Sequence, residues 1–123
     1  MSPPTAREVL DRRRAEQDRL LATAERFAEG LDPGLGVRVV VVFGSVARGD
    51  FHDASDIDVL VVAEDLPPRP PERNATVGIA PPRVEFVAWT PDEWRKERKR
   101  GNPIALEAAE HGHLLRGTLE PLG

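Results

Sequence analysis

The chain has 123 residues, the length of one ordinary domain, with no room for a separate substrate-binding domain. Seventeen basic and 21 acidic residues give a net charge of −4, which speaks against a nucleic-acid binder that relies on a basic surface. Cysteine is absent, so disulfides, cysteine-ligated zinc and thiolate nucleophiles are excluded; no apolar run approaches the ~18 residues of a membrane span. The first residues lack a basic start followed by an apolar stretch, so no signal peptide is expected and the expected location is cytoplasmic.

Residues 5–31 read as a helix, with Val9, Leu10, Leu20, Leu21, Ala24, Phe27, Ala28 and Leu31 on its apolar stripe. Its middle, Asp11 to Arg19, is almost wholly charged and is expected to face water. Val37 to Phe43 is continuously apolar and β-branched, the pattern of a strand buried on both faces. A polar loop at 50–55 leads to a second strand, Asp56 to Ala63. The proline-rich stretch 64–82 predicts a mobile connection with little regular structure, apart from a short helix or strand around Ala75–Ile79. Arg83 to Trp89 reads as a third strand, with Val84, Phe86 and Ala88 on one face and Arg83, Glu85, Val87 and Trp89 on the other. Thr90, Pro91 and Glu93 mark a helix start, and that helix runs to about Arg100. A further helix starts at Asn102-Pro103, packs through Ile104, Ala105, Ala108 and Ala109, and closes at Gly112. Leu114-Leu115 forms a last short strand or an extended tail. The predicted class is therefore α/β or α+β: one mixed sheet of about four strands flanked by helices, within a single domain spanning 1–123.

The chemistry concentrates at Gly44-Ser45 and, after ten residues, Asp56-Ile57-Asp58. Residues two apart in a strand share a face, so the two carboxylates project together. Such a pair suits a hard divalent cation such as Mg²⁺, or two cations sharing a carboxylate. Asp58 sits among apolar neighbours, where an unpaired carboxylate is costly. Gly44 and Ser45, at the end of a buried strand, form a turn suited to phosphate: Gly44 has no Cβ to bar close approach, and Ser45 can cap a short helix. Glu85 joins the carboxylates if the second and third strands are neighbours, as a metal ligand or a general base; the alternative is a solvent-facing strand residue. Arg48 reads either as a phosphate or acceptor contact or as a solvated helix residue. The run Arg95, Lys96, Arg98, Lys99 and Arg100 reads as a solvated helix face, the alternative being a docking surface for an acidic partner or RNA.

Gly44-Ser45-Val46-Ala47-Arg48-Gly49 followed by Ser55-Asp56-Ile57-Asp58-Val59-Leu60-Val61 resembles the signature of the minimal nucleotidyltransferases of the DNA polymerase β-like superfamily. Residues 104–117 are similar to the usual end of such domains, so the likeness covers roughly 37–117. The resemblance implies a polymerase β palm-like fold in which Gly44, Ser45 and Arg48 bind the nucleotide and Asp56, Asp58 and Glu85 hold two Mg²⁺ ions. It implies transfer of a nucleoside monophosphate from a nucleoside triphosphate, with ATP the expected donor, to a hydroxyl acceptor. Family members commonly carry Asp at the third acidic position, where this chain has Glu85. Many such proteins are antitoxins paired with HEPN-domain ribonuclease toxins, which makes such a toxin the expected partner and acceptor. Two alternatives remain: a binding module that neutralises a partner without catalysis, and transfer to a small molecule or a nucleic-acid end.

Overall fold

The computed structural model describes residues 2–120; positions 1 and 121–123 of the expected 1–123 domain lie outside the described residues. The apolar run forms β1 (Val37–Phe43), with Val39 to Val42 at most 1% exposed. Burying each such side chain contributes roughly 1.5–3 kcal/mol of transfer free energy, offset by the entropy of ordering the chain. β2 (Ile57–Ala63) pairs antiparallel to β1, β3 (Val84–Trp89) pairs parallel to β2, and β4 (His113–Arg116) pairs antiparallel to β1 on its other side. The result is a mixed four-stranded sheet in the order β3-β2-β1-β4, as expected from the sequence.

Helices cover both faces. On one face, α1 (Ala6–Glu29) packs Leu20, Ala24, Phe27 and Ala28 against Val40, Val42, Val59 and Val61. On the other, α4 (Pro91–Arg100) and α5 (Pro103–His111) pack Trp94, Ala105 and Ala108 against Val39, Val41, Leu60 and Val62. The alternation predicted for the third strand holds: Val84, Phe86 and Ala88 lie on the α1 face, and Val87 and Trp89 on the opposite one. Thr90 and Glu93 form the expected capping box of α4, and Asn102 caps α5. Among the described residues, no helix is long and apolar enough to cross a membrane.

Several expectations need correction. The proline-rich stretch contains a regular helix, α3 (Pro70–Val77). Pro70 and Pro71 occupy its first turn, where a missing N–H costs nothing, so the prolines start this helix and do not prevent it. Buried Arg73 anchors it by donating to the Pro67 carbonyl at 2.8 Å, the Ala88 carbonyl at 2.9 Å and Glu93 Oε1 at 2.7 Å. Val9 and Leu10 are 43% and 67% exposed, because the first turns of α1 extend beyond the sheet. The charged middle of α1 is mostly solvated, yet Arg13 and Gln17 bond across to the chain after β1. Ala109 is exposed and takes no part in the packing of α5. Asp56 and Arg83 each lie one residue outside the strands assigned to them.

Candidate active site

β1 runs directly into α2 (Gly44–Arg48), a five-residue helix. The cap position is Phe43, in extended conformation and with no side-chain cap, so Ser45 lies inside the first turn and does not cap it. The first turn of any helix leaves backbone N–H groups without intrahelical acceptors. Here those groups belong to the chain around Gly44 and Ser45.

The sheet places the acids. Asp58 is the second residue of β2 and pairs with Phe43 of β1 on one side and Glu85 of β3 on the other. Paired residues on neighbouring strands lie about 5 Å apart, so Asp58 and Glu85 stand side by side on the face that α4 and α5 cover further along. Asp58 is half-buried, whereas Glu85 and Asp56 are exposed. Burial raises the Asp58 carboxyl above the ordinary aspartate range, and the charges of Glu85 and Asp56 raise it further; Arg48 is the one group that lowers it. Asp58 is thus a partly desolvated carboxylate facing two like charges, an arrangement that an added cation relieves.

Gly44 is required for two reasons. Its φ of +75° is in the left-handed region, and a Cβ there would lie 2.5 Å from Asp58 Oδ2. The side of Gly44 that the sequence reading left open for phosphate is therefore filled by the Asp58 carboxylate. Asp58 and the glycine turn are in contact as a unit.

Arg48 closes α2. It donates from Nε to Asp50 Oδ2 at 3.1 Å and from Nη1 to Glu107 of α5, and these two carboxylates push its pKa up. Arg48 is exposed and ion-paired to both carboxylates. In the basic run of α4, Arg95 pairs with Asp92, Arg100 pairs with Glu97, and Arg98 lies 5.8 Å from the Trp94 ring centroid.

Sequence reasoning missed Arg83. Its backbone is left-handed at φ +74°, uncommon for a residue with a side chain. Its guanidinium donates to the Ser55 carbonyl from Nε at 3.1 Å and Nη2 at 2.7 Å, and its own carbonyl accepts from Ile57 N at 2.7 Å. These bonds hold both neighbours of Asp56. No sequence signal marks this role, since it depends on a loop carbonyl 28 residues away.

The donor set is all oxygen and suits a hard divalent cation. Among the described residues, no three His, Asp or Glu side chains are gathered closely enough to hold a metal as they stand. The fit is one of chemistry and placement: Asp58 is a half-buried carboxylate beside Glu85 and Asp56, where a hard cation would offset the like charges.

A relative from Methanocaldococcus jannaschii named "Putative protein adenylyltransferase" is 50% identical over 28 residues, which is 23% of this chain and 28% of that protein's length. The crystal structure of a "putative nucleotidyltransferase" from Sulfolobus solfataricus is 25% identical, covers 83% of this chain and 84% of its own, and superposes with a TM-score of 0.60. A toxin–antitoxin crystal structure with AMP-PNP is 20% identical over 80% of this chain and 77% of that one, with a TM-score of 0.49. Residues 24–110, well over half of the chain, match the model of the nucleotidyltransferase domain, and the chain belongs to that family.

Proposed function

We propose that the chain transfers a nucleoside monophosphate, AMP foremost, from a nucleoside triphosphate to a hydroxyl group of a partner protein. In this reading it is the antitoxin of a HEPN-type ribonuclease toxin. The observation that carries the reading is the acidic row: Asp58 faces Glu85 across the parallel pair of β2 and β3 and packs on the Gly44-Ser45 turn, with Asp56 just before it. The name of the Methanocaldococcus relative supports a protein acceptor. The motif's resemblance to minimal nucleotidyltransferases supports the pairing with a toxin. The chain has no tyrosine, so any tyrosine modified belongs to another protein.

Asp56, Asp58 and Glu85 are the residues to hold two Mg²⁺ ions, which when bound activate the acceptor hydroxyl and offset charge on the departing pyrophosphate. Gly44 and Ser45 hold the triphosphate through backbone N–H groups and the serine hydroxyl. Arg48, tied to Asp50 and Glu107, brings positive charge to the same end of the sheet. The acceptor oxygen bonds to the α-phosphorus as the bond to pyrophosphate breaks, and the hydroxyl proton passes to a nearby base. Glu85, exposed at the open edge of the row, is placed to take that proton if it is not engaged as a ligand.

The test is incubation of the purified protein with Mg²⁺ and α-labelled ATP in lysate of its source organism, with Asp56→Ala/Asp58→Ala as control. Carboxylate-dependent label on a distinct protein band is expected. Label on nucleic acid, or none above the control with any of the four nucleotides, would overturn the proposal. A second reading is neutralisation by binding alone, consistent with Glu85 standing where family members commonly carry Asp. Full neutralisation of the partner by the double variant would establish it.

A further inference from the structure

α1 grips the far end of α2. Gln17 Nε2 donates to the Val46 carbonyl at 2.8 Å and lies 3.4 Å from the Ala47 carbonyl. One turn earlier, Arg13 Nη2 donates to the carbonyls of Gly49 at 3.0 Å and Phe51 at 2.6 Å. The Arg13 guanidinium also lies 4.4 Å from the ring centroid of Phe51, a residue only 4% exposed. Residues 13 and 17 are four apart and so share a helix face. The carbonyls they bind lie at the end of α2 and in the loop that leads to Asp56. A helix of five residues cannot sustain itself, and its last carbonyls have no partners within it. α2 is held by Val46 in the core, by the Arg48–Glu107 pair and by the side chains of α1 that bind its carbonyls. Both gripping residues precede residue 24, where the family match begins, and the carbonyls they bind lie within it.

We infer that Arg13 and Gln17 are positioning residues for nucleotide binding. By holding the carbonyl end of α2 and the loop after it, they fix Gly44 and Ser45 at one end and Asp56 at the other around Asp58. The inference rests on the reading of Gly44 and Ser45 as the turn that holds the triphosphate. The grip is separable from the fold of α1, because that helix is anchored on the sheet by Leu20, Ala24, Phe27 and Ala28. Truncating Gln17 or Arg13 leaves that packing in place.

The test is titration calorimetry of the full chain with ATP, with and without Mg²⁺. Gln17→Ala and Arg13→Ala each remove neutral-acceptor hydrogen bonds, and each is expected to weaken Mg²⁺-dependent ATP binding roughly 3- to 10-fold. Arg13→Lys restores part of the loss. Arg12→Ala, an exposed neighbour with the same charge change, stays within about twofold of wild type on the ~0.5 kcal/mol scale of surface substitutions. A spectroscopic readout separates positioning from general destabilisation: the amide resonances of Gly44 and Ser45 shift in Gln17→Ala, while those of Ala105 and Ala108 on the opposite face do not. Gln17→Met, which keeps the length and loses the donor, replaces Gln17→Ala should that variant not fold. If wild type binds ATP with Mg²⁺, Asp56→Ala/Asp58→Ala loses that binding, and the Gln17 and Arg13 variants bind as wild type does, the inference alone is overturned. If wild type shows no Mg²⁺-dependent binding, or the double variant keeps it, the nucleotide reading falls and the inference with it.

Discussion

Replacing Gly44 by alanine tests the contact on which the candidate site is built. At φ +75° the added Cβ enters the left-handed region, which costs about 1–2 kcal/mol for a residue with a side chain. The same Cβ would stand 2.5 Å from Asp58 Oδ2 and 3.4 Å from its Cγ. That oxygen is the end of a short side chain and turns aside, and a χ angle ~30° from its well costs of order 0.5–1.5 kcal/mol. Together the loss is about 1.5–3.5 kcal/mol. With an unfolding entropy of about 2.1 cal/mol/K per residue, a chain of 123 residues then loses about 6–14 °C in its melting midpoint. The assay is a double-mutant cycle by chemical denaturation with Gly44→Ala, Asp58→Ala and both. Asp58→Ala removes the clashing oxygen and leaves a Cβ 3.6 Å away, which is ordinary contact. In that background Gly44→Ala costs only its backbone part, so the two changes couple by about 1 kcal/mol, above the few tenths expected of independent sites. Equal costs in both backgrounds would refute the contact, and no cost in either would refute the left-handed backbone.

Other outcomes follow from the same geometry. Mg²⁺ at ten times its dissociation constant stabilises wild type by about 1.4 kcal/mol, roughly 5 °C by thermal melting, and leaves Asp56→Ala/Asp58→Ala unmoved; an equal rise in both would show that the ion binds elsewhere. Burial raises the Asp58 carboxyl and neighbouring Glu85 and Asp56 add to it, so the native state holds that proton to higher pH than the unfolded chain does. Stability from this group accordingly falls as pH climbs from the ordinary aspartate value through the folded one, and denaturant midpoints of Asp58→Asn lack that fall. Glu93 runs the other way. Burial alone would raise it, but the Thr90 N–H and the Arg73 guanidinium outweigh burial and hold it below the ordinary glutamate range. Its contribution is therefore present above that range and lost as pH falls through the lowered value, which Glu93→Gln should abolish in acid-unfolding curves. Arg73→Ala orphans the Ala88 carbonyl and frees the proline-rich stretch, at a cost of about 2–4 kcal/mol measurable by denaturation.

The sheet was readable because its central strands are unambiguous. Four successive valines in β1 and the Val-Leu-Val-Val run of β2 are buried on both faces, so no other periodicity competes. The starts of α4 and α5 were equally plain from Thr90-Pro91 and Asn102-Pro103. α3 was not, because proline pairs were read as breakers when Pro70 and Pro71 in fact open a helix, and what holds that helix is a buried arginine bound to carbonyls distant in sequence. The same limit hid the grip of Arg13 and Gln17: a charged helix middle looks solvated unless the carbonyls it reaches are known.

The acids show the limit most sharply. Asp56 and Asp58 declare themselves by spacing, but Glu85 belongs with them only through the register of β2 on β3. A slip of one residue would set Val84 or Phe86 opposite Asp58 and turn Glu85 to the α1 face. The alternation of Val84, Phe86 and Ala88 onto the α1 face sets the register, and the first rung reinforces it. Ile57 pairs with Val84, the Ile57 N–H binds the Arg83 carbonyl, and the Arg83 side chain returns to the Ser55 carbonyl. A left-handed backbone at Arg83 is what lets one residue make both bonds at the same point. Such backbone cost persists where surrounding structure over-determines it. Here the surrounding structure is the pairing that brings the third carboxylate to the other two. The sequence spells out the acids, while the residue that helps line them up is identified only by its conformation.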